Sequence, residues 1–439
     1  MFKKLLVTFG TVLLVSNCAI AIDKKELNPE FFSRFNDDCL EYYINQAIEN
    51  NHSAKQATYR VEQYRQQVKY SFSKELPSFS VSANYLGIKV PQLDNFTLKK
   101  NAFILPFMAN YEADFLLKNH DKTKSQKKVY EISEQEEKAV YLALLSDVAT
   151  VYTNILEYDG LLNLAQEQVE ISQKILSSDT KKFNRGIINS TKYNNSKKNL
   201  ETAKTNLENL QKQQEILLMQ LAVLTGVSSS EAQNLTRGDI DKFEYSKEIP
   251  QNIKSDVIFS RPDVMSAEAN LEKAKIDIRI ARKEFLPTFN ITGLWAFNTI
   301  APGTFFYWES SLAALLAGAT QDIFTGGRKI ANLKIQKAKY EELFENYKQT
   351  DLEAVKEVNT ALCFTKHDTK VEKNSIKKLD YEYQNLQAAK RQLNQGTISQ
   401  PEYLAGLSKV VNLQSEYVSA KTQKLVNYFT LYKAVGGKL

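Results

Sequence analysis

Phe183-Asn184-Arg185-Gly186-Ile187-Ile188-Asn189-Ser190 and Leu393-Asn394-Gln395-Gly396-Thr397-Ile398-Ser399-Gln400 are two versions of one turn. Each lies between two long stretches of helical spacing, so each reads as the tip of a helical hairpin. Asparagine followed two residues later by glycine suits a helix end that takes a left-handed residue. Ser399-Gln400-Pro401-Glu402 adds a capping box, with serine as N-cap, proline in the first turn and glutamate three residues on. Gly186 and Gly396 lie 210 residues apart (396 − 186), as do Pro77 and Pro287, and Gly226 and Gly436. With only 15 glycines and 9 prolines in 439 residues, one offset at three landmarks marks an internal duplication over most of the chain.

Composition narrows the classes. Charged residues at 25% and apolar residues at 43% exclude a disordered chain. A net charge of +6 over this length does not indicate nucleic acid as a partner. Three cysteines make no disulfide framework. Cys39 reads as a small apolar filler; pairing with Cys363 in an oxidising compartment stays an open alternative. His52, His120 and His367 share no metal-ligand spacing, and no nucleophile motif or phosphate loop is present. Gly326-Gly327-Arg328-Lys329 reads as a strand-to-helix turn. No catalytic, metal or cofactor residue is therefore expected, and the chain reads as no enzyme.

Lys3 and Lys4 followed by an apolar run from Leu5 to Val15 form a targeting segment. Two cleavage readings stand. Val15-Ser16-Asn17-Cys18 resembles a lipobox that would place a lipid on Cys18. Ala19-Ile20-Ala21 is a small-x-small site that would discard that cysteine. No later stretch reads as the ~20 apolar residues of a membrane helix, so entry into a membrane would be as strands.

A helix is expected over 37–75, capped by Asp37 or Asp38. At Pro77 the period changes to two. Phe79, Val81, Ala83 and Tyr85 alternate with Ser78, Ser80, Ser82 and Asn84; Phe289, Ile291, Gly293 and Trp295 alternate with Thr288, Asn290 and Thr292. A second strand runs from Phe103 to Phe115, and its apolar but poorly alternating counterpart from about Ser311 to Phe324. Phe305-Phe306-Tyr307-Trp308 resembles an interfacial aromatic belt. A soluble half-buried sheet shows the same alternation as an outer-membrane barrel. The succession of Ser, Thr and Asn favours a wet lumen, with Phe79, Val81, Tyr85, Phe289, Ile291 and Trp295 facing lipid.

The rest is helical. Leu144, Val148, Val151, Ile155, Tyr158 and Leu162 step by three and four, as do Ile376, Leu379, Tyr383 and Leu386. Leu200, Ala203, Leu207 and Leu210, then Leu404, Leu407 and Val411, repeat the spacing after the tips. Residues 122–183 as one helix would run roughly 90 Å at 1.5 Å per residue. The domain reading is a signal segment over 1–21, a first repeat over 22–226, a polar connector over 227–260, a second repeat over 261–437 and a tail at 438–439.

Arg261-Pro262-Asp263-Val264, Ala267-Glu268, Ala281-Arg282 and Phe285-Leu286-Pro287 resemble a signature of TolC-like outer-membrane efflux proteins, especially the NodT-type branch. So do Asp322-Ile323-Phe324-Thr325-Gly326-Gly327-Arg328 and Leu431-Tyr432-Lys433-Ala434-Val435-Gly436-Gly437. The resemblance covers about residues 37–437. It lacks the glycine often found after the strand ending in Phe115, and the glycine and tryptophan often found at the C-terminus. It implies a mainly helical fold with a transmembrane β-barrel part, four strands per chain joining a trimeric barrel of twelve. It implies a passive exit duct, meeting a periplasmic adapter and an inner-membrane pump, with the resistance-nodulation-division class favoured. The outer-membrane component of type I protein secretion is an alternative within the family; a periplasmic coiled-coil adapter or scaffold is one outside it.

By the same resemblance, Phe183, Asn184, Arg185, Gly186, Leu393, Asn394, Gln395 and Gly396 would dock the adapter; the two glycines have the plainer role of permitting the turn. Well-known relatives carry a tyrosine and an arginine near the second tip that pair with two carboxylates. Here those positions hold Leu393 and Ile398, then Glu402 and Ala405. Only Glu402 keeps the pattern. It reads as the capping partner of Ser399, or as one member of an acidic ring at the periplasmic entrance, where crowding would raise its proton affinity.

Overall fold

The computed structural model describes residues 27–89, 99–228, 230, 232, 235–246, 249–250, 253–299 and 307–439. Cys18 and both cleavage readings lie outside the described residues, as do Phe305 and Phe306. The elements are α1 (Glu30–Ser33), α2 (Asp38–Asn50), α3 (His52–Ser73), β1 (Ser78–Val81), β2 (Asn84–Lys89), β3 (Lys99–Ala113), α4 (Lys118–Asn184), α5 (Ser190–Leu224), α6 (Ser255–Phe259), α7 (Pro262–Lys283), β4 (Thr288–Thr299), β5 (Ser311–Thr320), α8 (Arg328–Asn394) and α9 (Gln400–Ala434). The duplication is visible in the boundaries. α8 and α9 begin and end 210 residues after α4 and α5 (328 − 118, 394 − 184, 400 − 190, 434 − 224).

The helix expected over 37–75 is broken. Asp37 caps α2 by accepting the amides of Cys39 and Leu40 at 2.8 and 2.9 Å. Asn51 is extended (φ −61°, ψ 124°) and separates α2 from α3. Its side chain accepts the Ala54 amide at 3.0 Å and donates to the Leu224 carbonyl at 2.9 Å. A contact 173 residues away thus holds a break that local spacing does not show.

The chain forms two compact units. One gathers residues 27–59, Glu136–Val264 and Asp351–Leu439. Its core joins Phe31, Phe32 and Phe35 to Tyr43, Leu145, Tyr152, Phe429 and Tyr432. The connector joins in: Phe243 is 1% exposed and stacks on Phe35 at 5.4 Å. Cys39 packs half-buried against this core and Cys363 is exposed; both are free thiols. By length and composition α4 contains a stretch apolar enough to cross a membrane, which the sequence reading overlooked. It is 67% buried, and Leu144, Val148 and Ile155 of α4 sit in the core.

Within this unit Val169 of α4 packs on Leu200 and Ala203 of α5. Ile171 of α4 packs on Leu404 and Val411 of α9. Val358 and Ala361 of α8 pack on Leu431 and Ala434 of α9. The heptad stripe expected on α8 is not covered in the same way. Ile376 and Tyr383 remain 46% and 40% exposed, whereas the buried positions of α8 include Ala354, Val358, Ala361 and Ser375.

The other unit, Arg60–Gln135 and Met265–Thr350, carries the sheet. Its strands are antiparallel in the order β1-β3-β4-β5, with β2 also on β3. β1 and β2 keep one register against β3, since Val81 faces Phe107 and Asn84 faces Ile104. They are one strand interrupted opposite Pro106. The Ser82 amide donates to the Pro106 carbonyl at 3.2 Å, and proline has no N–H to return the bond. Among the described residues four strands are therefore present, as expected. β3 ends at Ala113, before Phe115, and β5 ends at Thr320, before Phe324.

Candidate functional site

Both hairpin tips close with the same local chemistry. Gly186 and Gly396 adopt φ +72° and +73°, the left-handed region that glycine enters without a Cβ penalty. The Gly186 amide donates to the Phe183 carbonyl and the Ile187 amide to Lys182, both at 2.9 Å. Gly396 to Leu393 and Thr397 to Gln392 repeat the pattern at 3.0 Å. These are the paired bonds of a Schellman motif. Asn189 caps α5 by accepting the Lys192 amide at 2.9 Å. Asn184, Arg185, Asn394 and Gln395 are exposed, and Leu393 is half-buried. Phe183 is not free. Its ring stacks on Tyr193 of α5 at 4.7 Å, and the Lys197 ammonium sits 4.4 Å from the Tyr193 centroid. The pair bridges the two arms of the first hairpin.

Glu402 completes its half of the capping box. Its carboxylate accepts the Ser399 amide at 2.6 Å and the Ser399 hydroxyl at 2.8 Å. These bonds hold its pKa below the usual carboxylate range, and the ammonium groups of Lys182 and Lys192 on the first tip add to the effect. In one chain the direction is thus opposite to that expected of a crowded acidic ring.

The sheet separates its side chains by register. Phe79 pairs with Ala109, Val81 with Phe107, Phe107 with Trp295, and Tyr111 with Ile291, so these residues share one face with Tyr85 and Phe289. Phe79, Val81, Tyr85 and Trp295 are exposed, at 80%, 60%, 62% and 46%. The opposite face carries Ser80, Asn110, Glu112, Asn290 and Thr292. Thr292 donates to the Asn110 side-chain oxygen at 3.2 Å. That face is less uniform than the sequence suggested. Met108 of β3, Leu294 of β4 and Leu316 of the poorly alternating β5 lie on it as well. Tyr307 and Trp308, the described part of the aromatic belt, are 59% and 77% exposed.

The family signature at Arg261 has a structural role. Its guanidinium donates to the Ala434 carbonyl at 2.7 Å and to Asp263 and Glu357 at 2.6 Å. Gly326 and Gly327, at φ +60° and +83°, turn the chain from β5 into α8. Among the described residues no cluster of His, Cys, Asp and Glu has the arrangement of a metal site.

Duplicated helical hairpins and a short antiparallel sheet with an exposed apolar face are the elements of a channel-type outer-membrane protein. The chain belongs to the outer membrane efflux protein family, whose profile matches residues 43–227 and 255–437. It is similar to a probable outer membrane lipoprotein SilC of Salmonella typhimurium, 23% identical over all of this chain and 99% of the relative. It is also similar to the cation efflux system protein CusC of Escherichia coli K12, 24% identical over 92% and 87% of the two chains. The fold matches the CmeC outer membrane channel of Campylobacter jejuni with a TM-score of 0.86 at 23% identity, covering 93% of this chain and 88% of that one. The protein is thus an outer-membrane efflux protein and no enzyme, and the adapter or scaffold alternative falls away.

Proposed function

We propose that three copies of this chain form one passive duct through the outer membrane, with the tips of both hairpins meeting a periplasmic adapter that leads to an inner-membrane pump. The observation that carries this reading is the incompleteness of the single chain. The strand formed by β1 and β2 and the strand β5 each keep one edge unpaired among the described residues. Four strands are too few to close a membrane barrel, and open edges seek partners. Three copies supply twelve strands, in the range of such barrels. The uncovered stripe at Ile376 and Tyr383 supplies an intersubunit face on the helical side.

In this duct Phe79, Val81, Tyr85, Phe289, Ile291 and Trp295 face lipid, and Ser80, Asn290 and Thr292 face the lumen. Resemblance to the NodT-type branch and to a protein named for cation efflux supports small toxic solutes as cargo and a resistance-nodulation-division pump. The test is photocrosslinking from probes at Asn184 and Asn394 in cells, with the oligomer sized in parallel. Adapter adducts from either tip and a three-chain mass are expected. No adduct from both sites in cells with working efflux would sink the docking; a monomer would sink the duct.

A further inference from the structure

We infer that the cavity where β4 and β5 run into α8 is a binding subsite for an amphiphilic organic anion, with Arg328 receiving its carboxylate. The cavity measures about 630 Å³, the size of a drug-sized ligand site. Its walls include Lys118, Glu284, Leu286, Asp322, Arg328 and Ile335. Thr288 and Thr320 also line it; they pair across the ladder on the same face as Asn290 and Thr292. The cavity therefore opens on the polar face of the sheet, away from Phe79 and Trp295. In the duct proposed above, on which the biological meaning rests, that face is the lumen.

Charge decides the class of ligand. Lys329 pairs with Asp322 at 3.1 Å. Lys118 pairs with Glu112 at 3.2 Å. Glu284 accepts the Asn332 amide at 3.0 Å. Arg328 is exposed, and its side chain has no ion pair or hydrogen bond among the described residues. Gly326 and Gly327 place it as the first residue of α8. Lys118 and Lys329 are thus each matched by a carboxylate, Glu112 and Asp322, and Arg328 is the wall cation left without one among the described residues. A planar guanidinium matches a carboxylate through two parallel N–H···O bonds. Beside it, Ile335 and Leu286 expose 60% and 44% of their surface to water. An acyl chain or hydrophobic ring attached to the anion would cover them.

The experiment uses the full-length protein in nanodiscs, with the signal of empty discs subtracted. Octanoate, octanol and octylamine are titrated by ligand-observed NMR. Octanoate should bind roughly ten-fold more tightly than octanol, the worth of one charge-assisted hydrogen bond, and octylamine more weakly than either. Arg328→Gln should remove the preference for octanoate, and Arg328→Lys should keep part of it. Variants are scored only on assembled protein. Equal binding of octanoate and octanol, or an unchanged preference in assembled Arg328→Gln, overturns the assignment. The titration requires neither adapter nor pump, so it stands or falls separately from tip crosslinking.

Discussion

Arg261 holds the carbonyl oxygen of Ala434 at 2.7 Å, tying the start of the second repeat to the end of the last helix. The guanidinium is 8% exposed, while its partners Asp263 and Glu357 are 44% and 57% exposed. Water screens the two ion pairs, so the buried bond to the helix end carries most of the effect. Arg261→Met should destabilise the unit by about 1–3 kcal/mol, the cost of stranding a buried acceptor. A fall in thermal midpoint of the detergent-solubilised protein would show it. An unshifted midpoint would mean that water replaces the guanidinium at that carbonyl.

Gly238 has no room for a side chain. A Cβ there would lie 2.1 Å from Oδ2 of Asp37, whose carboxylate accepts the Tyr152 hydroxyl at 2.9 Å. The Gly238 amide donates to that same hydroxyl at 2.9 Å. Gly238→Ala should cost about 1–3 kcal/mol by overpacking. Tyr152→Phe should cost a similar amount by leaving the amide unpaired. The double variant should cost less than the sum, because both break one network; a double-mutant cycle measures the difference.

At the tips the backbone, not space, resists substitution. Nothing lies within 4 Å of a Cβ at Gly186 or Gly396. Gly396→Ala should therefore lower stability by about 1–2 kcal/mol through its positive φ, and Gly396→Asn by less. Equal loss from both would point to a contact outside the chain. Hydrogen exchange of the Thr397 amide, bonded to Gln392 at 3.0 Å, reports the opening of the turn.

Glu402 supplies the pH dependence. Its folded pKa is depressed, so its contribution is fully present above the ordinary glutamate value of about 4.3 and is lost as pH falls through the lower folded value. If the residue also lines the entrance, cation preference in planar bilayers should persist on acidification to about pH 4.3 and decline only below it. Glu402→Gln should remove that component at neutral pH and low salt. A preference unchanged by the substitution would leave the residue as a helix cap alone.

Val81 and Ser80 are neighbours on opposite faces of β1. Val81→Arg should cost roughly 2–4 kcal/mol if its site lies near the bilayer midplane, and Ser80→Arg far less. The yield of assembled protein in outer-membrane fractions compares them. Equal yields would mean that Val81 does not meet lipid.

Everything that depends on near neighbours in the chain could be read from the sequence. The tips were legible because a left-handed glycine and a capping box are local. The 210-residue offset, the period-two strands and the turn at Gly326-Gly327 were legible for the same reason. Pro106 stood in plain view, but its interruption of the first strand needed the register that places it opposite Ser82. The break at Asn51 depends on the carbonyl of Leu224, and the burial of Phe243 depends on Phe35 and Tyr152. Phe31 and Phe32 find their partners Tyr432 and Phe429 about 400 residues away. The α8 stripe has the same three-and-four spacing as the α4 stripe, and only packing shows that Ile376 and Tyr383 of α8 stay open while Leu144, Val148, Val151 and Ile155 of α4 are buried. Arg328 is a similar case: its place in a turn is local, but its lack of a partner depends on where Asp322, Glu284 and Glu112 direct their carboxylates. Backbone geometry and periodicity are properties of a few adjacent residues, so the sequence determined the elements and their duplication. Burial and charge pairing are properties of space between distant segments, so only the tertiary structure decided which faces and which charges remain open.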